Sequence, residues 1–349
     1  MPCKVAIIIV SYNGEKYLPD CLRSLKEQDY PAADVRIIMV DNASRDDSAG
    51  YARRNFPAVF LIQNSVNSGF AGGNNIGIRK ALEGNPDFVV LLNQDTIVDK
   101  DWLREAVKKA ESSPDIGAVQ SLLLLWDNQD LIQTSGNKIH YLGFGYSGEY
   151  KKQRSAIGDR RSGDIAYASG AAVLFKASVL REVGLFDEDM FAYHEDLDLG
   201  WRIRLAGYGI KLAPLSVVYH KYSFGRNKLK NLWMERNRFV VLLKNYRWAT
   251  LLLISPALLA MEMGMLFYAL SDGWLMLKLR SYVEVILTLP RTLSKRKIIQ
   301  RSRKAKDGDI VRFFSGRVEF AELQNPILKY VANPALNLYW QLIRRMIRW

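Results

Sequence analysis

Phe88-Val89-Val90-Leu91-Leu92-Asn93-Gln94-Asp95 is an apolar run that ends in a carboxylate. Open α/β folds place ligand chemistry at strand ends of this kind. The pattern repeats upstream. Residues 5–10 run into Ser11-Tyr12-Asn13, residues 35–40 into Asp41-Asn42-Ala43-Ser44, and residues 59–62 into Gln63-Asn64. Helical periodicity follows at about 15–27, 46–55 and 73–82. Strand alternating with helix predicts a mostly parallel sheet with flanking helices, and right-handed crossovers bring the polar ends to one edge. The crevice along that edge is the predicted active site.

A second acidic site, Glu195-Asp196-Leu197-Asp198, opens another helical pattern. Simpler roles compete at each position. Ser44 or Asp46 can cap the helix that follows, and Glu195, Asp196 and Asp198 can stabilise a first helical turn. Asp95 has no capping role, because Asp99 and Lys100 lie nearer the next helix start. Asp198 stands four residues before Arg202, the spacing of a helix-surface ion pair, which leaves Asp196 as the chemical group.

Between the two acidic sites lies Asn67-Ser68-Gly69-Phe70-Ala71-Gly72-Gly73-Asn74-Asn75-Ile76-Gly77, a glycine-rich turn leading into a helix. Such turns admit phosphates to backbone amides and also simply make tight turns. Gly72 and Gly77 have P-loop spacing, but Ile78-Arg79 stands where Lys and Ser or Thr are required. No Gly-x-Gly-x-x-Gly follows the first strand, which argues against a dinucleotide cofactor.

Together, Ser11-Tyr12-Asn13, the Val40 to Ser44 motif, the Asn67 to Gly77 turn, Leu92-Asn93-Gln94-Asp95 and Glu195-Asp196-x-Asp198 resemble glycosyltransferase family 2, and within it rhamnosyltransferases. The resemblance covers residues 4–245. It implies a GT-A fold, a Rossmann-like, mostly parallel sheet, and an inverting hexosyltransferase that draws on a nucleotide sugar. Ser11, Tyr12, Asn13, Asp41, Asn67, Gly69, Asn74, Asn93 and Gln94 would line the donor site, with Asp41 on the nucleotide base. Asp95 would be the last position of an Asp-x-Asp metal motif whose first Asp is here Asn93. The comparison assigns the base to Asp196, with Glu195 beside it, and a third metal ligand to His220 after the strand at 215–219. A lone His is as readily structural.

The residue types suit that chemistry. Mg²⁺ or Mn²⁺ on one or two carboxylates neutralises a departing diphosphate, and a base takes the proton of an acceptor hydroxyl. Residues 169–175 form a predicted strand and residues 183–188 a helix end and turn, near which related enzymes place the acceptor. Residues 125–164, rich in turn formers, suggest a mobile acceptor loop.

With 349 residues there is room for a catalytic region, 1–230, and a C-terminal helical region, 231–349. The second holds 20 Lys plus Arg against 8 Asp plus Glu, and so carries +12 of the chain's +13. Two cysteines suggest no disulfide framework, and the direct start into a strand suggests a cytoplasmic enzyme. The eight basic residues of 291–306 suit nucleic acid or anionic lipid, and the neighbouring apolar 249–270, charged only at Glu262, points to lipid rather than nucleic acid. Spanning by 249–270 is near neutral, since about −4 kcal/mol from its aliphatic and aromatic residues meets about +3 for Glu262, whereas a second span through 274–290 costs about 8 kcal/mol. Lys278, Ser281, Glu284, Thr288 and Arg291 share one helical face, which predicts a helix lying in the interface of the cytoplasmic membrane leaflet, a peripheral or monotopic attachment. A soluble core helix or a homo-oligomer contact is the alternative.

Two rival functions are weaker. A sugar-phosphate nucleotidylyltransferase needs a glycine-rich arginine loop after the first strand, where only Gly14 stands. A non-catalytic membrane or nucleic-acid binding protein leaves the polar strand ends without purpose. Processive synthases of the resembled family carry Gln-x-x-Arg-Trp, and Lys244-x-x-Arg247-Trp248 favours single-sugar transfer onto a lipid-linked or cell-envelope glycan, with dTDP-rhamnose as the expected donor.

Overall fold

The computed structural model describes residues 3–157, 163–221, 228–320 and 325–349. Two compact units emerge, Met1–Asn137 with Ser147–Phe191 and Tyr208–Phe224, and Lys138–Tyr146 with Ala192–Gly207 and Gly225–Trp349. Two segments from before residue 230 thus group with the C-terminal helices.

In the first unit, β-branched and leucine-rich runs form β1 (Val5–Ser11), β2 (Val35–Asp41), β3 (Phe60–Gln63) and β4 (Phe88–Leu92), which pair in parallel in the order β3-β2-β1-β4. Between them run α1 (Leu18–Lys26), α2 (Ser48–Asn55) and α3 (Gly69–Leu82). After β5 (Thr96–Val98) and α4 (Trp102–Glu111) come β6 (Ile116–Leu125) and β7 (Asn128–Thr134). The sheet then turns mixed: β10 (Ala172–Lys176) lies antiparallel between β4 and β6, β11 (Gly209–His220) runs parallel to β6, and β5 closes the edge antiparallel to β11. Ile7, Ile9, Met39, Val90, Leu92 and Leu174 form its core with Leu22 and Leu103 from the helices. Burying each is worth about 1.5–3 kcal/mol.

Two expectations change. The helix expected at about 73–82 begins earlier, at Gly69, so more of the glycine-rich stretch is helical. The predicted loop at 125–164 contains β7 together with β8 (Asn137–His140) and β9 (Gly145–Ser147), and its residues 158–162 lie outside the described ones. Its aliphatic positions, Ile132 and Ile139, are fully buried.

α5 (Ala177–Val183) follows β10 in the first unit, and α6 (Glu195–Leu205) belongs to the second. The rest of the second unit is α7 (Leu229–Asn245), α8 (Trp248–Ser271), α9 (Leu275–Ser302), α10 (Asp307–Val311), β12 (Phe314–Ser315) and α11 (Asn333–Ile343), with β12 extending β8 in a small sheet. Trp201 packs edge-on against Tyr246 and Phe314, and Tyr141 stacks on Trp340. Among the described residues α8 alone is long and apolar enough to cross a membrane, by length and composition.

Candidate active site

The ends of β1, β2 and β4 meet at one edge because the parallel register sets Ser11 opposite Asp41. Gln94, just past β4, clasps the loop after β1. Its Oε1 accepts from Ser11 Oγ at 2.8 Å and Tyr12 N at 3.1 Å, and its Nε2 donates to Tyr12 O at 3.2 Å. Asn13 sits in the left-handed region at φ 50° and ties the loops after β1 and β2: its N donates to Ser44 Oγ, and its Oδ1 accepts from Arg45 N. Tyr12 is left with an exposed ring.

Asp41 is buried at the tip of β2, and its Oδ1 has no hydrogen-bond partner. Its neighbour Asn42 is fully satisfied. Asn42 Nδ2 donates to Asn67 Oδ1 and Gly69 O, and Asn42 Oδ1 accepts from Asn64 Nδ2, Ser68 N and Ser68 Oγ. Asn42 therefore organises the start of α3. Sequence reasoning passed over it for the adjacent acid, although it lay in the same motif. Gly69, at φ 72°, has Phe191 O 2.4 Å from where a Cβ would stand, so only glycine fits. Asn74 caps nothing outside α3, since its Nδ2 donates to Phe70 O within the helix. Asn75 instead reaches across to Phe186, donating to its O and accepting from its N.

Asn93 N donates to Ala171 O, fixing the end of β4 against the entry to β10. Asp95 meets His220, the last residue of β11, with Nε2 3.1 Å from Asp95 Oδ1. His220 Nδ1 lies 2.8 Å from Gln133 Oε1 on β7. An amide oxygen only accepts, so Nδ1 carries the proton and the Nε2 lone pair faces the carboxylate unless a proton or a cation intervenes. This arrangement fits a divalent ion. No group of three or more His, Cys, Asp or Glu with metal-binding geometry occurs among the described residues, so the protein would offer two ligands and leave the rest to phosphate and water. No local sequence signal marked Gln133.

The second acidic site belongs to the other unit. Phe191, Tyr193 and His194 all have positive φ, at 61°, 68° and 66°. Backbone of this kind persists only where its surroundings impose it. Buried Asn237 on α7 does so by donating Nδ2 to Ala192 O at 3.0 Å and Tyr193 O at 2.7 Å, while His194 Nε2 donates to Gly143 O. Burial, with Arg238 nearby, pushes the His194 imidazole down to about 4, so it is neutral. α6 then starts with Glu195, whose buried Oε2 has no partner. Burial first and the Asp196 charge second raise the Glu195 carboxyl well above the usual range. Asp196 is half-buried, with Oδ1 accepting from Leu197 N at 2.8 Å.

Asp198 is not a surface partner. It is wholly buried, and Arg202, Lys244 and Asn245 all reach its carboxylate at 2.9 Å. This cluster holds α6 to α7. Lys244, read from the sequence only as a motif mismatch, is therefore a structural cation.

The profile described as Glycosyl transferase family 2 matches residues 6–184, just over half of the 349. Over 257 residues the chain is 28% identical to the poly-beta-1,6-N-acetyl-D-glucosamine synthase of Staphylococcus epidermidis, covering 71% of this chain and 57% of that protein. The protein of the same name from Staphylococcus aureus (strain COL) is 28% identical over 241 residues, 67% of this chain and 53% of that one. The chain thus spans little more than half the length of these relatives. Among solved structures, S. aureus TarS 1–349 in complex with UDP superposes with a TM-score of 0.51 at 16% identity, covering 99% of this chain and 91% of that one. Mannosyltransferase PcManGT from Pyrobaculum calidifontis, in complex with GDP-Man and Mn²⁺, gives 0.53 at 19%, covering 86% of each. These likenesses concern the fold, which is GT-A-like and mixed α/β with flanking helices.

Proposed function

Given that the chain belongs to glycosyltransferase family 2, we propose that it moves one sugar, with inversion, from a nucleotide sugar to a hydroxyl of a lipid-linked or cell-envelope glycan at the cytoplasmic face of a membrane. The observation that carries this reading is the buried, unpartnered Asp41 Oδ1 beside a fully satisfied Asn42, an acceptor held ready for N–H groups of a nucleotide base. Ser11, Tyr12, Asn13, Asn67, Gly69, Asn74, Asn93 and Gln94 shape the donor pocket around it.

Asp95 and His220 would hold Mg²⁺ or Mn²⁺, which offsets charge on the diphosphate. Asp196 takes the proton of the acceptor hydroxyl as that oxygen bonds to the anomeric carbon and the bond to the diphosphate breaks. Burial first and its neighbour's charge second raise the Glu195 carboxyl, which favours a proton there and leaves Asp196 as the proton acceptor of the pair. The commitment of Lys244 to Asp198 supports single transfer, because that side chain is engaged in a buried ion pair. The resemblance to rhamnosyltransferases supports dTDP-rhamnose. A second donor, a UDP-linked N-acetylhexosamine, is favoured by the names of the staphylococcal relatives.

Nucleotide release from a panel of donors, with Mg²⁺, Mn²⁺ or chelator, tests the proposal. We expect metal-dependent release from dTDP-rhamnose, and a loss of about 10² or more for Asp196→Asn with donor affinity retained. Transfer from UDP-GlcNAc alone overturns the donor, and no transfer from any donor overturns the function.

A further inference from the structure

Glu262 of α8 and Lys278 of α9 turn inward, while a stripe of apolar side chains on each helix turns outward, with Arg280 of α9 exposed beside it and paired to Glu284. Glu262 of α8 and Lys278 of α9 join Glu235 and Arg238 of α7 in a closed network, in which Arg238 and Lys278 each pair with both glutamates. Arg238 and Lys278 are wholly buried, and Tyr282 Oη adds a hydrogen bond to Glu262 at 2.7 Å. Ser281, Thr292 and Arg296, also on the polar face of α9, are buried as well. Most of the polar stripe of α9 therefore faces protein, where the sequence pattern alone suggested water, and Arg291 stays exposed.

The opposite stripe is bare. Leu252, Leu259 and Phe267 on α8 and Met276, Ile286 and Leu287 on α9 are between 67% and 76% exposed. On each helix they recur at helical spacing and form a single stripe. In water this arrangement is doubly unfavourable, since it solvates the apolar groups and desolvates the charges. In hydrocarbon both signs reverse: apolar faces are solvated by acyl chains, and charges must be paired inside the protein. A protein partner would cover such a stripe without requiring that Glu262 and Lys278 be turned away from it.

The edges carry the chemistry of a lipid headgroup layer. Trp248, at the start of α8, is more than half exposed, as aromatic side chains at interfaces are. Arg291, Lys297 and Arg301, along the second half of α9, are exposed cations in a region of net +12. Positive charge beside an apolar stripe complements anionic headgroups above acyl chains.

We propose that the α8–α9 hairpin is a monotopic insert, its outward stripe dissolved in the hydrocarbon of one leaflet, Glu262 and Lys278 closed into the network with α7, and its exposed cations at the headgroups. The proposal rests on the membrane part of the reading above and not on the sugar chemistry. It implies attachment that survives without electrostatic attraction.

The test is flotation of the full chain with neutral phosphatidylcholine vesicles at roughly 1 M salt, where the Debye length is about 3 Å. Wild type should float, and a Leu259→Gln, Phe267→Gln, Leu287→Gln variant should lose at least about tenfold in bound fraction. These three side chains are largely exposed, so nucleotide release in detergent and the melting midpoint should stay as in wild type. Wild-type flotation only on anionic vesicles and only at low salt overturns insertion while leaving surface attachment. No flotation on any vesicle, with a dimer in solution that the triple variant dissociates, overturns it in favour of a second copy of the chain. Loss of nucleotide release with flotation intact would count against the sugar chemistry alone.

Discussion

Asp41, Asp95 and Asp198 are three strand-end or helix-start acids with three different surroundings, and those surroundings predict different phenotypes. Asp41 keeps one oxygen unpartnered, whereas Asp95 lies 3.1 Å from the His220 imidazole, whose other nitrogen meets Gln133. Asp95→Ala should therefore abolish Mn²⁺ binding, read by electron paramagnetic resonance, while Asp41→Ala retains it and loses about 10–100-fold in nucleotide affinity. Mn²⁺ binding by Asp95→Ala equal to wild type would remove the ion from this pair. Asp198 answers to pH instead. Burial alone would raise its carboxyl, but Lys244 first and Arg202 next overcome that and hold it below the ordinary value of 3.8. The unfolded chain then binds more protons than the native one, so this stabilisation is complete above about pH 5, begins to fade near the ordinary value and is gone only when pH falls through the lower native-state value. Removing one member of a buried cluster costs about 3–5 kcal/mol. Urea melts of Asp198→Asn at neutral pH should show a loss of that order and a flatter acid limb than wild type, and an unchanged acid limb would contradict the assignment.

Among the elements, α3 shows where sequence patterning carries and where it stops. Period-two and apolar runs located β1, β2, β4 and the polar residues at their ends, because a strand's reach and burial are local properties. Gly69 and Gly72 read as a turn ahead of a helix starting at about 73, since glycine disfavours a helix by about 1 kcal/mol. Tertiary packing overrides that preference. A Cβ on Gly73 would stand 2.8 Å from Val10 Cγ1, and one on Gly77 2.4 Å from Ile8 Cγ2, so the glycines let α3 lie directly on β1. Gly77→Ala should accordingly destabilise by about 1–3 kcal/mol despite its better helix propensity, measured as a lower urea midpoint, and a stabilised variant would show that α3 moves freely over β1. The polar stripe of α9 illustrates another limit. Periodicity fixes the angle between polar and apolar faces but carries no sign, so Lys278, Ser281 and Thr288 specify a stripe without saying whether it meets water or Glu235 and Glu262 on neighbouring helices. Gln133 and Asn237 were silent for a related reason, because each acts on a backbone or ring far away in sequence.

On the scale of the whole molecule, charge and apolar exposure concentrate in the same C-terminal part of the chain, which carries +12 of the net +13. The basic run at 291–306 is less available than its composition suggests. Arg296 is buried and donates to Leu243 O and Tyr246 O, and Arg303 pairs with buried Asp307. Both hold the helices together, and neutralising them would confuse misfolding with lost attraction. Arg291, Lys297, Arg301 and Lys304 are exposed instead. Each cation near an anionic leaflet is worth about 1 kcal/mol, so Arg291→Gln, Lys297→Gln, Arg301→Gln and Lys304→Gln together should remove up to about 4 kcal/mol of attraction to vesicles containing phosphatidylserine at low salt. On neutral vesicles the quadruple variant should bind as wild type does, because the apolar stripe is untouched. Flotation across a salt series separates the two contributions: the wild-type advantage on anionic vesicles should shrink toward the variant's level as the Debye length shortens. A variant that binds anionic vesicles as tightly as wild type at every salt concentration would mean that these four side chains do not reach the headgroups.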